Sequence, residues 1–237
     1  MFQKILRPLY AWLAPYTCIL CHYPTHREQD LCQPCLNELP ILPQSCPRCA
    51  NILAFTTAPC GSCLKKPPLV DRTHVLFIYQ TPITKLLMEL KFHENLVNAR
   101  LFGELMTTAI QQQWYRHQAL PHVLVPVPLH PQRLQERGFN QALEISRPIA
   151  KTLKLELDTR HCFRLKNTNA QARQSAKQRQ QNLRGAFQIT RNFTGLRVAI
   201  LDDVITTGST LRAFSKALKK AGASEIHVWC CAKSIMI

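Results

Sequence analysis

The sequence predicts an α/β protein: a mostly parallel sheet with helices on both faces, preceded by a small cysteine-rich domain. Three observations point there. From about residue 70 onward, apolar runs of strand length alternate with segments of helical periodicity. Residues 198–221 join a buried strand to a helix through a turn of acidic and small residues. Residues 18–63 hold four Cys-x-x-Cys pairs at constant spacing. With 237 residues, 46% of them hydrophobic, the chain can bury the core of one α/β domain and carry a small appendage. The boundary is expected between residues 68 and 69, giving domains 1–68 and 69–237.

The formal net charge is +16, which favours a polyanionic partner, either nucleic acid or phosphorylated metabolites. No apolar run reaches the roughly twenty residues that a membrane-spanning helix needs. At the N-terminus, Lys4 and Arg7 precede LYAWLAPY, but Pro8 and Pro15 interrupt the apolar part and no small-residue cleavage site follows. An amphipathic lead-in carrying Ile5, Leu9, Trp12 and Leu13 is expected rather than a signal peptide, and with it a cytoplasmic location.

Eight of the eleven cysteines form the pairs Cys18/Cys21, Cys32/Cys35, Cys46/Cys49 and Cys60/Cys63, repeating every fourteen residues. A two-residue gap lets both sulfurs of a knuckle face one metal ion, and two knuckles complete a tetrahedral thiolate site for zinc. Consecutive pairing would give two zinc ribbons; a single site using half the cysteines is the alternative. All-sulfur ligation leaves no open position for water, so the metal is expected to be structural. His22 and His26 could substitute as ligands, but loop histidines without a role are commoner. Nothing supports the oxidising compartment that disulfides would need.

Lys65-Lys66-Pro67-Pro68 reads as a stiff linker. A strand follows at Val75–Tyr79, then helices at Ile83–Phe92 and Leu96–Tyr115, whose leucines recur at core spacing. Lys91-Phe92-His93, at the break between the helices, could line a site, but a lone histidine there is more often surface. His122–Val127 is a second buried strand. Its Val-Pro-Val-Pro end marks a fixed loop, because proline restricts the backbone and lacks a donor. Arg133 and Arg137 follow, suited to bidentate phosphate binding, then Gly138 and a helix to about Leu153.

From Thr159 to Leu201 there is no acidic residue and nine basic ones, among them Arg164, Lys166, Arg173, Lys177, Arg179 and Arg184. Asn167–Arg184 has hardly an apolar residue and cannot bury a face, so this arm is expected to be a mobile loop or solvated helix, either a surface tracking nucleic-acid phosphates or merely solvated. Ala186–Ile189 reads as a strand leading into Val198–Leu201, a strand buried on both faces. Asp202 and Asp203 come next, then Thr206, Thr207, Gly208, Ser209 and Thr210, and then a helix with Leu211, Phe214 and Leu218 on one face. Small residues at a helix start let backbone N–H groups converge on an anion. Carboxylates on the same rim can accept hydrogen bonds from vicinal hydroxyls, so together they suit a ribose phosphate. No Gly-Lys-Ser/Thr is present, so this is not a Walker loop. Glu225–Ala232 is the last strand; Cys230, Cys231 and Cys162 read as inert core thiols.

The stretch VAILDDVITTGST closely resembles the phosphoribosyl pyrophosphate (PRPP) signature of type I phosphoribosyltransferases. The resemblance implies that Asp202 and Asp203 hold the ribose hydroxyls and that residues 206–210 hold the 5′-phosphate. It also implies that the loop carrying Arg133 and Arg137 holds pyrophosphate, that Mg²⁺ accompanies PRPP, and that the basic arm closes as a hood. Glu136-Arg137-Gly138-Phe139-Asn140-Gln141 resembles the signature of the ComF family, proteins of competence and DNA uptake that include GntX-type relatives. In that family a cysteine-knuckle domain precedes a phosphoribosyltransferase-like domain. Two functions follow as expectations. One is handling of single-stranded DNA in natural transformation, with DNA-uptake proteins as partners. The other is an active phosphoribosyltransferase for an acceptor that no motif specifies, with Asp203 nominated as general base. A purely zinc-mediated adaptor would leave the pocket motif unexplained.

Overall fold

The computed structural model describes residues 16–25, 29–54, 58–167 and 185–235. The lead-in, His26 and the arm residues Arg173, Lys177, Arg179 and Arg184 lie outside them. Two short helices, α1 (Gln33–Asn37) and α2 (Gly61–Lys65), belong to the cysteine-rich segment. Then come β1 (Arg72–Ile78), α3 (Ile83–Phe92), α4 (Leu96–Ala109), β2 (Val123–Pro126), α5 (Pro131–Arg137) and α6 (Gln141–Leu153). After α6 the chain forms β3 (Glu156–Leu157), β4 (Cys162–Arg164), β5 (Phe187–Ile189), β6 (Arg197–Ile205), α7 (Ser209–Lys220) and β7 (Glu225–Lys233).

The main sheet runs β1-β7-β6-β2-β3, and every pairing in it is parallel. Side chains alternate across it, as the period of two requires. Ala199, Leu201 and Trp229 meet the leucines of α3 and α4 and Ile145 and Ile149 of α6. Val198, Ile200 and Val228 meet Leu211, Phe214 and Leu218 of α7. Helices therefore cover both faces. On the first face α4 and α6 touch closely: a Cβ on Gly103 would stand 2.8 Å from the Ile145 carbonyl and 2.3 Å from Pro148. Glycine permits this approach.

From β2 the chain winds outward to β3, then returns to β6 and winds the other way to β7. The order reverses between β2 and β6, the place where sheets of this kind bind ligands, outside the strands' carboxyl ends.

Four expectations change. The strand expected at 198–201 runs to Ile205, because β7 keeps pairing with it, Val204 beside Ala232 and Ile205 beside Lys233, after β2 has ended at Pro126. Asp202 and Asp203 are thus strand residues. Arg133 and Arg137 stand on helix α5 rather than a loop, with Pro131 in its first turn and Gly138 (φ 72°) ending it. Residues 187–189 do not extend the main sheet; β5 pairs antiparallel with β4 in a separate ribbon. The helix expected to reach Tyr115 changes to a π turn at Ile110–Trp114.

The cysteine-rich segment is bound along the free edge of β1. Leu42 N–H donates to Leu76 O (2.9 Å), Ile78 N–H to Pro40 O (2.8 Å) and Thr73 N–H to Pro47 O (2.7 Å). Cys18, Leu31 and Leu39 join the core beside Phe77, and Arg100 of α4 pairs with Asp30.

Candidate functional site

Strand β6 delivers the two carboxylates, and their own backbone holds them. Asp203 N–H donates to Asp202 Oδ1 (3.0 Å) and Val204 N–H donates to Asp203 Oδ1 (2.9 Å). The turn that follows exposes Thr206 and Thr207 and reaches Gly208 at φ 70°, the left-handed region that glycine enters without strain. Gly208 is the N-cap of α7, so the helix begins with no capping side chain and no acidic residue in its first turn. A positive dipole end that no first-turn carboxylate neutralises suits phosphate binding. Thr207 Oγ1 and Ser209 Oγ lie 2.6 Å apart and steady the turn.

The opposite wall comes from the chain after β2. Asn140 caps α6 by accepting from Ala142 N–H (3.0 Å), and its amide donates to Val127 O (3.0 Å). Arg137 donates to Gln141 Oε1 (3.0 Å) and lies over the Phe92 ring. Between the walls is a cleft of about 180 Å³, lined by Arg133, Arg137, Arg164, Asp202, Asp203 and Thr210 among others. Arg164 belongs here rather than on an outer nucleic-acid surface: the β4–β5 ribbon carries it inward over Phe187. Lys166, two residues on, is exposed.

Sequence reasoning did not commit to Lys91. Its ammonium pairs with Asp203 Oδ2, and both side chains are largely buried. A signal was present: Lys91 follows Ile83 and Leu87 at intervals of four, on the buried stripe of α3, where a cation needs a partner. His93, in contrast, is exposed as expected.

Four cations, Lys91, Arg133, Arg137 and Arg164, therefore surround two carboxylates. Burial, with the adjoining Asp203 charge, pushes Asp202 up to about 8. Burial acts to lower Lys91, but the Asp203 charge and hydrogen bond outweigh it and hold the ammonium above its ordinary value. Burial and the Arg133 charge lower Arg137 and Arg164, the partial compensation coming from Asp203 and Asp202 respectively. An excess of cations suits the cleft to a multiply charged anion.

The cysteines gather as Cys18, Cys21, Cys32, Cys35 and as Cys46, Cys49, Cys60, Cys63, the ligand atoms of each group within 4.8 Å of one another. Consecutive knuckles pair, giving two sites rather than one, and His22 joins neither. The S···S separations of 3.6 Å (Cys21–Cys32) and 3.7 Å (Cys49–Cys60) fit a tetrahedron with Zn–S bonds of about 2.3 Å, whose edge is about 3.8 Å. Burial alone would raise Cys18 and Cys46. Backbone N–H groups reverse this, to about 6 in Cys18 and about 7 in Cys46, where Cys60 N–H donates to the sulfur (3.2 Å). One sulfur of each four is thus thiolate-ready, while burial and the neighbouring sulfurs raise Cys35, Cys49 and Cys63; four sulfurs at this spacing suit zinc. Cys162, Cys230 and Cys231 are buried, and their thiols are raised by that burial.

Comparison with known proteins agrees with both halves. Residues 9–64 match the double zinc ribbon domain family and residues 138–234 the phosphoribosyl transferase domain family. Competence protein F of Haemophilus influenzae is 36% identical over 219 residues, covering 90% of this chain and 95% of that protein. DNA utilization protein YhgH of Salmonella typhimurium is 32% identical over 223 residues, covering 93% and 98%. Competence protein ComFC of Bacillus subtilis is 26% identical over 208 residues, covering 82% and 80%. Paired cysteine tetrads, a phosphoribosyl transferase domain match and two relatives above 30% identity matched over 95% or more of their length lead to one conclusion: this chain belongs to the competence protein F family.

Proposed function

We propose that the chain binds PRPP, accompanied by Mg²⁺, in the β2–β6 cleft, and that it handles incoming single-stranded DNA in the cytoplasm during natural transformation, alongside DNA-uptake proteins. One observation carries the first part. A carboxylate pair on the strand that leads into a glycine-started, uncapped helix lines a small cleft together with three arginines. In this reading Asp202 takes the ribose hydroxyls and Asp203 braces it. Residues 206–210 take the 5′-phosphate, Arg133 and Arg137 the pyrophosphate. Arg164 joins them in the pocket. The printed names of the relatives, competence protein and DNA utilization protein, support the second part, as does the net charge of +16. Lys166, Arg173, Lys177, Arg179 and Arg184 remain the arm's contribution to that surface.

A second reading, phosphoribosyl transfer to an acceptor, is favoured by Asp202. It changes protonation near neutral pH and lines the cleft, as a general acid or base must. Asp203 suits that role less, since Val204 N–H and Lys91 occupy both its oxygens.

Calorimetric titration of PRPP with Mg²⁺ into the wild type and into Asp202→Ala/Asp203→Ala tests the proposal. Binding to the wild type that vanishes in the variant is expected. A wild type that ignores PRPP would refute a working pocket. Pyrophosphate release on adding nucleobases or amines would establish transfer.

A further inference from the structure

The larger of the two cavities described here, about 610 Å³, lies on the free edge of β1, two strands away from the β6 carboxylates. Its origin is local. The segment around residues 40–48 is pinned to β1 at Leu76–Ile78 and again at Thr73, where Thr73 also donates its hydroxyl to Arg48 O (2.8 Å). Between these anchors Pro43, Gln44 and Ser45 bow away, leaving His74 and Val75 as part of the lining. Arg48 sits between the knuckle ligands Cys46 and Cys49, so the metal centre sets the position of that wall.

The cavity has the parts of a nucleotide seat. His74 and Trp114 stack with ring centroids 5.0 Å apart and an interplanar angle of 17°, a flat aromatic platform at the end of the π turn. Arg48 and Arg72 bring two guanidinium groups, and neither forms a salt bridge among the described residues. The one carboxylate in the lining, Asp71, already accepts from Ile226 N–H (2.8 Å) and Lys219 (3.2 Å), so it does not oppose an anion. His74 Nε2 is buried with no hydrogen-bond partner, an unmet polar group at a cavity wall.

We infer that this cavity seats a nucleotide of a single-stranded nucleic acid, its base against the His74–Trp114 pair and its flanking phosphates on Arg48 and Arg72. Single-strand binders combine aromatic platforms with basic side chains in this way. The inference rests on the nucleic-acid half of the proposed function and supplies its contact point. The single strand then lies along the zinc-ribbon edge, leaving the PRPP cleft open at the same time.

The test is anisotropy titration of labelled oligothymidylate with the full-length protein over a series of salt concentrations. Trp114→Ala should weaken binding about ten-fold, and Arg48→Ala with Arg72→Ala should make the log–log salt slope shallower by about 1.4. Trp114→Phe keeps a ring and should retain most of the affinity, while the quenching of Trp114 fluorescence expected of wild type should be lost. Unchanged affinity and slope in these variants would overturn the site and leave the functional reading standing. Loss in the arginine variant with none in Trp114→Ala would overturn the stacked base. A wild type that binds no oligothymidylate would remove the nucleic-acid function itself, and this site with it.

Discussion

Replacing Lys91 with methionine should destabilise the protein in a way that depends on pH. The methionine keeps the length and packing of the lysine stem and removes only the charge. Lys91 and Asp203 retain 18% and 15% side-chain exposure, so the pair is mostly out of solvent. Removing one partner of a buried pair costs ~3 kcal/mol or more, because the other charge is left uncompensated. Asp202 is already pushed up to about 8 by burial and by Asp203. A carboxylate with a raised folded pKa stabilises the fold below its unfolded value of about 4, and that contribution is lost as pH rises through the folded value. The Lys91 charge lowers Asp202, so without the ammonium Asp202 holds its proton more tightly and the variant's loss grows with pH. We expect ~3 kcal/mol less stability than wild type at pH 9 and a smaller loss at pH 5, where Asp202 is protonated. The lysine's own contribution persists in wild type to about pH 10. Urea denaturation at both pH values reads the difference, and Lys91→Arg should recover most of it. Equal losses at pH 5 and pH 9 would refute the electrostatic argument and leave Lys91 as a packing residue.

PRPP affinity should rise as pH passes through about 8, because ionised Asp202 accepts ribose hydroxyls better than its protonated form. Calorimetry at pH 6.5 and 9 checks this, and a flat profile would remove Asp202 from the ribose contact. Metal analysis should find two zinc ions per chain for the two cysteine tetrads; one would mean that a tetrad stays empty. Chelation should first unfold the segment 18–63, read as amide exchange rising there before it rises in β6. Gly103→Ala should cost about 1–3 kcal/mol, since the added methyl meets backbone at Ile145 and a proline ring; a neutral result would mean that α4 and α6 separate freely.

The parts of the molecule legible from sequence were those written in adjacent residues. The strand, acidic pair, glycine and helix of 198–220 form one local pattern, and the cysteine spacing is a direct count. The alternation of apolar strands and helices was enough for the sheet and its two covered faces. What escaped depends on distant partners. Lys91 acquires meaning only from Asp203, more than a hundred residues away. Arg164 turns inward because β4, three residues long, pairs with β5 across the basic arm, and no local period announces so short a strand. Helix α5 was hidden because its seven residues carry only one large apolar side chain, Leu134, which stays exposed. The arrangement of the cysteine-rich segment along β1 rests on backbone hydrogen bonds, which side-chain patterns do not encode.

The β1 edge also bears on how the chain is made. The sheet neighbour of β1 is β7, the last strand, so residues 72–78 leave the ribosome long before residues 227–233 exist to pair with them. An unpaired apolar strand at that stage is open to association with other nascent chains. The segment that binds its other edge, residues 40–48, has been synthesised already and is shaped by cysteines whose metal can bind as soon as they emerge. Zinc supply during translation would then govern the yield of unaggregated protein, and starvation for the metal would show first as co-translational aggregation.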